Sequence, residues 1–142
     1  MSTLRIGITT ITQIFNVEDN TIYTSYFANL KKLPDNVCPI SICAKAPSWY
    51  TGIQYKALAP KYGFFMKYKE THDEEYYIEH FNSEVLDGLS VDDVVTTLYS
   101  LAGGKIPCML CYEKPGDFCH RHLVADWINK SGKAFVTEFK NM

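Results

Sequence analysis

Ile106-Pro107-Cys108-Met109-Leu110-Cys111-Tyr112 is an almost unbroken apolar run, set between Gly103-Gly104-Lys105 and Glu113-Lys114. A strand with one face in water alternates apolar and polar residues, whereas a strand covered on both faces reads as a continuous apolar stretch. The run is therefore expected to be a buried strand of a parallel sheet. Parallel neighbours are joined by crossovers of a dozen or more residues, usually helical. The flanking sequence supplies them. Ser90-Val91-Asp92-Asp93 has the form of a helix start, with Val94, Val95, Leu98 and Leu101 as the apolar face and Gly103-Gly104 as the stop. Downstream, Phe118 to Ser131 reads as a helix closed by Gly132, and Ala134-Phe135-Val136-Thr137-Glu138 as a last strand.

The remaining elements follow from the same periodicities. Leu4 to Thr9 alternates and predicts a first strand. Tyr23, Phe27, Leu30 and Leu33 are spaced like one helical face, closed by Pro34. Val37 to Ile42 reads as a second strand, in which Pro39 deletes a ladder donor and favours an edge position. Ala44 to Pro60 holds two prolines and a glycine with little periodicity, so a long loop is expected. Thr71-His72-Asp73-Glu74 resembles a capping box with Thr71 as the cap, followed by Tyr77, Phe81 and Val85 at helical spacing to about Leu86. Strands alternating with helices give an α/β fold: one compact domain over residues 1–142, with a mainly parallel, Rossmann-like sheet and helices on both faces. Ligands of such sheets bind at the carboxyl ends of the strands. The loops after Thr9, Ile42 and Tyr112 are thus the places to search.

Composition narrows the classes. Of 142 residues, 46% are hydrophobic and 21% charged, which suits a packed core and excludes disordered or fibrous chains. Fourteen Lys+Arg against 16 Asp+Glu give a net charge of −2, which argues against purely electrostatic nucleic-acid binding. No apolar run approaches the roughly 20 residues of a transmembrane helix, so no membrane partner is expected. The first residues lack the order of a signal peptide, and five cysteines fit free thiols in a reducing compartment. A cytoplasmic protein is the expectation. The charge is unevenly spread: Asn36 to Lys69 holds no acid, and Glu70 to Asp93 no Lys or Arg. In the basic half Lys45, Lys56, Lys61, Lys67 and Lys69 are interleaved with Trp49, Tyr50, Tyr55, Tyr62, Phe64, Phe65 and Tyr68. That pattern suits phosphate attraction with base stacking; the alternative is solvated lysines over core aromatics.

Chemistry concentrates in Cys111-Tyr112-Glu113-Lys114-Pro115-Gly116-Asp117-Phe118-Cys119-His120-Arg121-His122. Cys111 and Glu113 stand where the buried strand ends. Cys119 stands at the start of the next helix, whose N-terminal N–H groups and dipole favour an anion and would lower a thiol pKa. The apolar face of Leu123, Val124, Trp127 and Ile128 turns His120 toward the sheet and His122 toward water. A buried His120 needs a partner, and Glu113 is the nearest in sequence. Glu113 and Arg121 are either an ion pair tying loop to helix or a substrate-orienting pair. Cys111, Cys119, His120 and Glu113 are all metal-ligand types, but their spacing matches no zinc finger or ribbon, so no metal is assigned. A Cys111–Cys119 redox pair is a further possibility. Cys38, Cys43 and Cys108 read as structural. The phosphatase spacing is absent, because Asp117 stands where its Arg would be.

Leu110-Cys111-Tyr112-Glu113 followed by Cys119-His120-Arg121 resembles the signature of the domain of unknown function family numbered 488. Ala46-Pro47 and the Tyr-rich segment beyond extend the likeness. The resemblance implies a compact α/β domain and no established activity. Where many members carry Asp-Val-Arg after the second strand, this chain has Ile42-Cys43-Ala44-Lys45. Lys45 replaces the charge but not a bidentate clamp.

Two functions are expected from these residues. The first is a hydrolase or group transferase for a small phosphate-bearing molecule, a nucleotide or a nucleic acid. Cys111, Glu113, Cys119, His120 and Arg121 would do the chemistry, and Thr9, Lys45, Tyr112 and Lys114 would bind the ligand. The second is a non-catalytic nucleotide- or nucleic-acid-binding module built on the same groups as an ion-pair scaffold. The cofactor is left open.

Overall fold

The computed structural model describes residues 20–140. The expected first strand, Leu4 to Thr9, and with it Thr9, lies outside the described residues. Five strands are described: β1 (Thr21–Tyr26), β2 (Val37–Ser41), β3 (Ile53–Gln54), β4 (Ile106–Cys111) and β5 (Phe135–Glu138). They form one sheet in the order β3-β2-β4-β1-β5, and every pairing is parallel. The apolar run is β4, between β2 and β1, with Cys108, Met109 and Leu110 wholly buried.

Among the described residues four α-helices accompany the sheet: α1 (Tyr62–Thr71), α2 (Glu74–Phe81), α3 (Val91–Ala102) and α4 (His120–Ser131). Their apolar residues, among them Phe64, Phe81, Leu98 and Ile128, pack with Ile22, Ile40 and Met109 on one face. Cys108 and Leu110 point the other way, toward Phe27, Val37 and Tyr50. That face is covered by a 3-10 helix (Phe27–Lys32) and the loop through Tyr50. Ser90 caps α3 by accepting from the Asp93 N–H, and Gly103 and Gly132 end α3 and α4 in the left-handed region, at φ 58° and 74°.

Four local expectations change. The Tyr23–Leu33 segment is not a helix: Thr21 to Tyr26 is strand, and only Phe27–Lys32 coils. Residues rich in Thr, Tyr and Ile lie between β4 and β5, and pairing on both sides outweighs a helical spacing. Tyr23, Phe27, Leu30 and Leu33 do share one cluster, which is why they mimic a helix face. Pro39 is not on an edge strand, but β3 pairs only with Ile40 and Ser41, so its missing donor falls where β3 does not reach. The 44–60 segment is not all loop, since it contains β3 and a 3-10 turn, Lys56–Leu58. The basic aromatic stretch, to which no element was assigned, is helical as α1, ended by His72 at φ 57°. The α2 cap is Asp73, which accepts from the Tyr76 N–H at 3.1 Å; Thr71 Oγ1 instead accepts from the Asp73 N–H. The pattern runs on through a π turn, Asn82–Leu86.

Candidate active site

The parallel register sets the site. Ser41 lies beside Leu110, and the Ile42 N–H reaches the Leu110 carbonyl at 3.1 Å, so the chain leaving β2 runs beside the end of β4. Cys43 and Cys111 thereby meet at the carboxyl edge of the sheet. The loop after Tyr112 then returns Cys119, the N-cap residue of α4, to the same edge. A cavity of about 480 Å³ opens there, lined by Cys43, Lys45, Cys111, Tyr112, Glu113, Cys119 and His120, and walled by α1 and α2 through Phe65, Tyr68, Lys69 and Tyr77.

His120 occupies the floor. Its Nε2 lies 2.8 Å from the Ile42 carbonyl oxygen, an acceptor only, so Nε2 carries the proton and donates. In the neutral ring Nδ1 is then an acceptor, and it faces the Cys111 sulfur at 3.5 Å. Cys111 Sγ is also 3.5 Å from Glu113 Oε1. Glu113 thus partners the thiol and not the imidazole. Phe81 packs on the ring at 5.5 Å between centroids, and His120 is buried. Its tautomer and direction are fixed by the fold.

The thiols are protonated in this setting. For Cys111 a hydrogen bond with Cys119 pulls the pKa down, but the hydrogen bond with Cys43, burial and the Glu113 charge outweigh it and push it up. Cys119 moves up as well, chiefly by burial, and its thiol makes no capping bond to the helix. The lowering expected from the α4 N-terminus is not what results: burial disfavours the charged thiolate, and the Cys119 pKa moves up.

Residues 29–132, most of the chain, match the family model described as the Active DUF488-N3 subclade. The chain belongs to the DUF488 family. No curated protein and no solved structure matches it.

Not every residue singled out in this DUF488 chain reaches the cavity. Cys111, Glu113, Cys119, His120, Lys45 and Tyr112 line it; Arg121 and Lys114 are not among the lining residues. Tyr112 also donates its hydroxyl to the Lys45 carbonyl at 2.7 Å, joining the two loops. Arg121 is fully buried and grips Glu138 with Nε at 3.2 Å and Nη2 at 3.1 Å, while Nη1 donates to the Glu113 carbonyl at 2.6 Å. The Arg121 ion pair is therefore with Glu138, and only the backbone of Glu113 takes part. His122 does not face open water: its Nε2 is buried with no hydrogen-bond partner among the described residues, and burial together with Arg121 lowers its pKa. Cys43, read from the sequence as structural, lines the cavity; Glu138 carries no motif signal and the Ile42 carbonyl is main chain, so these two contributors to the DUF488 site were invisible to residue-type reasoning. Phe65, Tyr68 and Lys69 were foreshadowed by the basic aromatic pattern.

Proposed function

We propose that the protein is a thiol-dependent hydrolase or group transferase acting on a nucleotide or nucleic acid. The observation that carries this reading is the pairing of the Cys111 thiol with the acceptor nitrogen of a tautomer-locked His120 at the floor of an open cavity. A neutral thiol becomes a nucleophile when an adjacent base takes its proton during attack. In the proposed reaction the Cys111 sulfur bonds to an electrophilic carbon or phosphorus as its proton passes to His120 Nδ1. The leaving group departs with the bonding electrons and is protonated by the imidazolium. Water, or a second acceptor, then displaces the thiol, and His120 takes and returns a proton again.

The walls support the substrate class. Phe65, Tyr68 and Tyr112 offer faces for a heterocycle, and Lys45 and Lys69 offer cations for phosphate. The matching model's description as an active subclade also favours chemistry over structure. Arg121 is a positioning residue in this reading, since its donors hold Glu138 and the Glu113 carbonyl.

The buried, proton-holding thiols favour a second reading, a nucleotide- or nucleic-acid-binding module without turnover. A panel of nucleotides and short oligonucleotides, followed for product release by mass spectrometry, separates the two. The enzyme reading expects turnover by the natural chain, none by Cys111→Ser, and, because the Glu113 carboxylate accepts from the Cys111 thiol at 3.5 Å and orients it, retained binding with lost turnover in Glu113→Gln. Binding without product, unchanged by Cys111→Ser, would establish the module instead.

A further inference from the structure

The same corner of the fold carries a second chemistry, and this inference holds whether or not Cys111 is a nucleophile. One sulfur of Cys111, one sulfur of Cys119 and one ring nitrogen of His120 all lie within 4.8 Å of one another, and all three residues are buried. Ligands on tetrahedral zinc, with Zn–S about 2.3 Å and Zn–N about 2.0–2.1 Å, stand roughly 3.5–3.8 Å apart. The Cys111 Sγ to His120 Nδ1 separation is 3.5 Å, so this edge of the tetrahedron is already formed.

The orientation of His120 fits as well. A ligating imidazole commonly donates its other N–H to a carboxylate or a main-chain carbonyl, which fixes the ring and raises the basicity of the ligating nitrogen. Here Nε2 donates to the Ile42 carbonyl at 2.8 Å and leaves Nδ1 free to coordinate. Two soft sulfurs with one imidazole select a d10 ion such as Zn(II) over hard, oxygen-seeking cations. The donors come from separate elements, the end of β4 and the start of α4, so their convergence is tertiary. All three line the cavity, so the fourth coordination position opens into it, beside Glu113.

We infer that Cys111, Cys119 and His120 form a three-donor site for zinc(II), with the fourth position open to solvent or a small ligand. Each sulfur coordinates as thiolate, so loading one zinc releases two protons to the medium. A loaded site removes the Cys111 sulfur and the His120 lone pair from other use, so the zinc-bound and free-thiol forms exclude one another.

Cobalt(II) is the probe, because it reports sulfur ligation and geometry by colour with no assay of turnover. The full chain, reduced and freed of metal and chelator under anaerobic conditions, is titrated with cobalt(II). One equivalent should produce thiolate-to-cobalt charge transfer in the near ultraviolet with intense tetrahedral visible bands, and one equivalent of zinc(II) should erase both. Cys119→Ala should roughly halve the charge transfer and weaken binding at least tenfold. Cys38→Ala, altered at a half-buried thiol that does not line the cavity, should change nothing. A wild-type titration giving only the pale spectrum of octahedral, oxygen-bound cobalt overturns the inference without any variant having to fold. So does a full-strength spectrum in Cys119→Ala. Neither result bears on the thiol-enzyme reading, which is tested separately by product release in the presence of chelator.

Discussion

Arg121 and Glu138 face each other in a two-pronged ion pair at 3.2 and 3.1 Å, the guanidinium wholly buried and the carboxylate about one-fifth exposed. Thr24 Oγ1 adds a hydrogen bond to the same carboxylate at 2.6 Å. The network ties α4 to β1 and β5, and through the Glu113 carbonyl it ties the loop of the site to that frame. Removing one partner of such a pair leaves a buried charge uncompensated, at a cost of about 3 kcal/mol or somewhat more. Arg121→Met should lower the stability measured by urea unfolding by that amount. Arg121→Lys should recover only part of it, because an ammonium cannot serve both oxygens and the carbonyl in one plane. A loss under 1 kcal/mol in Arg121→Met would show that the pair does not hold the frame.

The Cys111–His120 contact makes a different kind of prediction. Removing a general base typically costs on the order of 10²–10⁴ in rate. Once a substrate is found, His120→Ala should lower kcat by that factor and leave KM within a few-fold. In metal-free protein, iodoacetamide should modify Cys111 faster in the native chain than in His120→Ala, while Cys38 is labelled at the same rate in both. Peptide mapping reads this directly, and equal labelling of Cys111 in the two chains would remove His120 from the activation of the thiol.

If Lys45 and Lys69 meet phosphate, oligonucleotide affinity must be salt-dependent. For single strands the slope of log affinity against log salt is about −0.7 per phosphate neutralised. Lys45→Ala and Lys69→Ala should each reduce the slope by about that much, measured by fluorescence anisotropy across a salt series. Binding that ignores salt would place the phosphates elsewhere.

Tyr50 pins the loop that leads from β2 into the cavity. Its hydroxyl donates to the Ile53 carbonyl at 2.7 Å. Tyr50→Phe should cost about 1 kcal/mol. Gly52→Ala should cost about 1–3 kcal/mol, because a Cβ there would stand 2.6 Å from the Tyr50 hydroxyl oxygen. Burial pushes the Tyr50 pKa up to about 12. In the unfolded chain it ionises near pH 10, so between about 10 and 12 the unfolded state has released a proton that the folded state keeps. Stability should therefore fall as pH rises through that window. Tyr50→Phe should make the fall shallower without abolishing it, since buried Tyr77 is raised too. An unchanged slope in the variant would show that Tyr50 does not contribute.

By itself the sequence determined the central strand, the α3 and α4 helices with their glycine stops, and the parallel α/β class. These rest on local periodicity and capping, which adjacent residues encode. It also marked Cys111, Glu113, Cys119 and His120 as one neighbourhood, because a short loop keeps them close whatever the rest does. Only the tertiary structure decided how they pair. The register of β2 against β4 brings the Ile42 carbonyl to His120, and that single main-chain acceptor sets the tautomer, aims Nδ1 at sulfur and leaves Glu113 to the thiol. Arg121 meets Glu138 because β5 lies beside β1, a neighbour relation that no spacing along the chain encodes. Likewise Thr21–Tyr26 is strand because β4 and β5 offer hydrogen-bonding edges on both sides, a choice made between segments far apart in sequence.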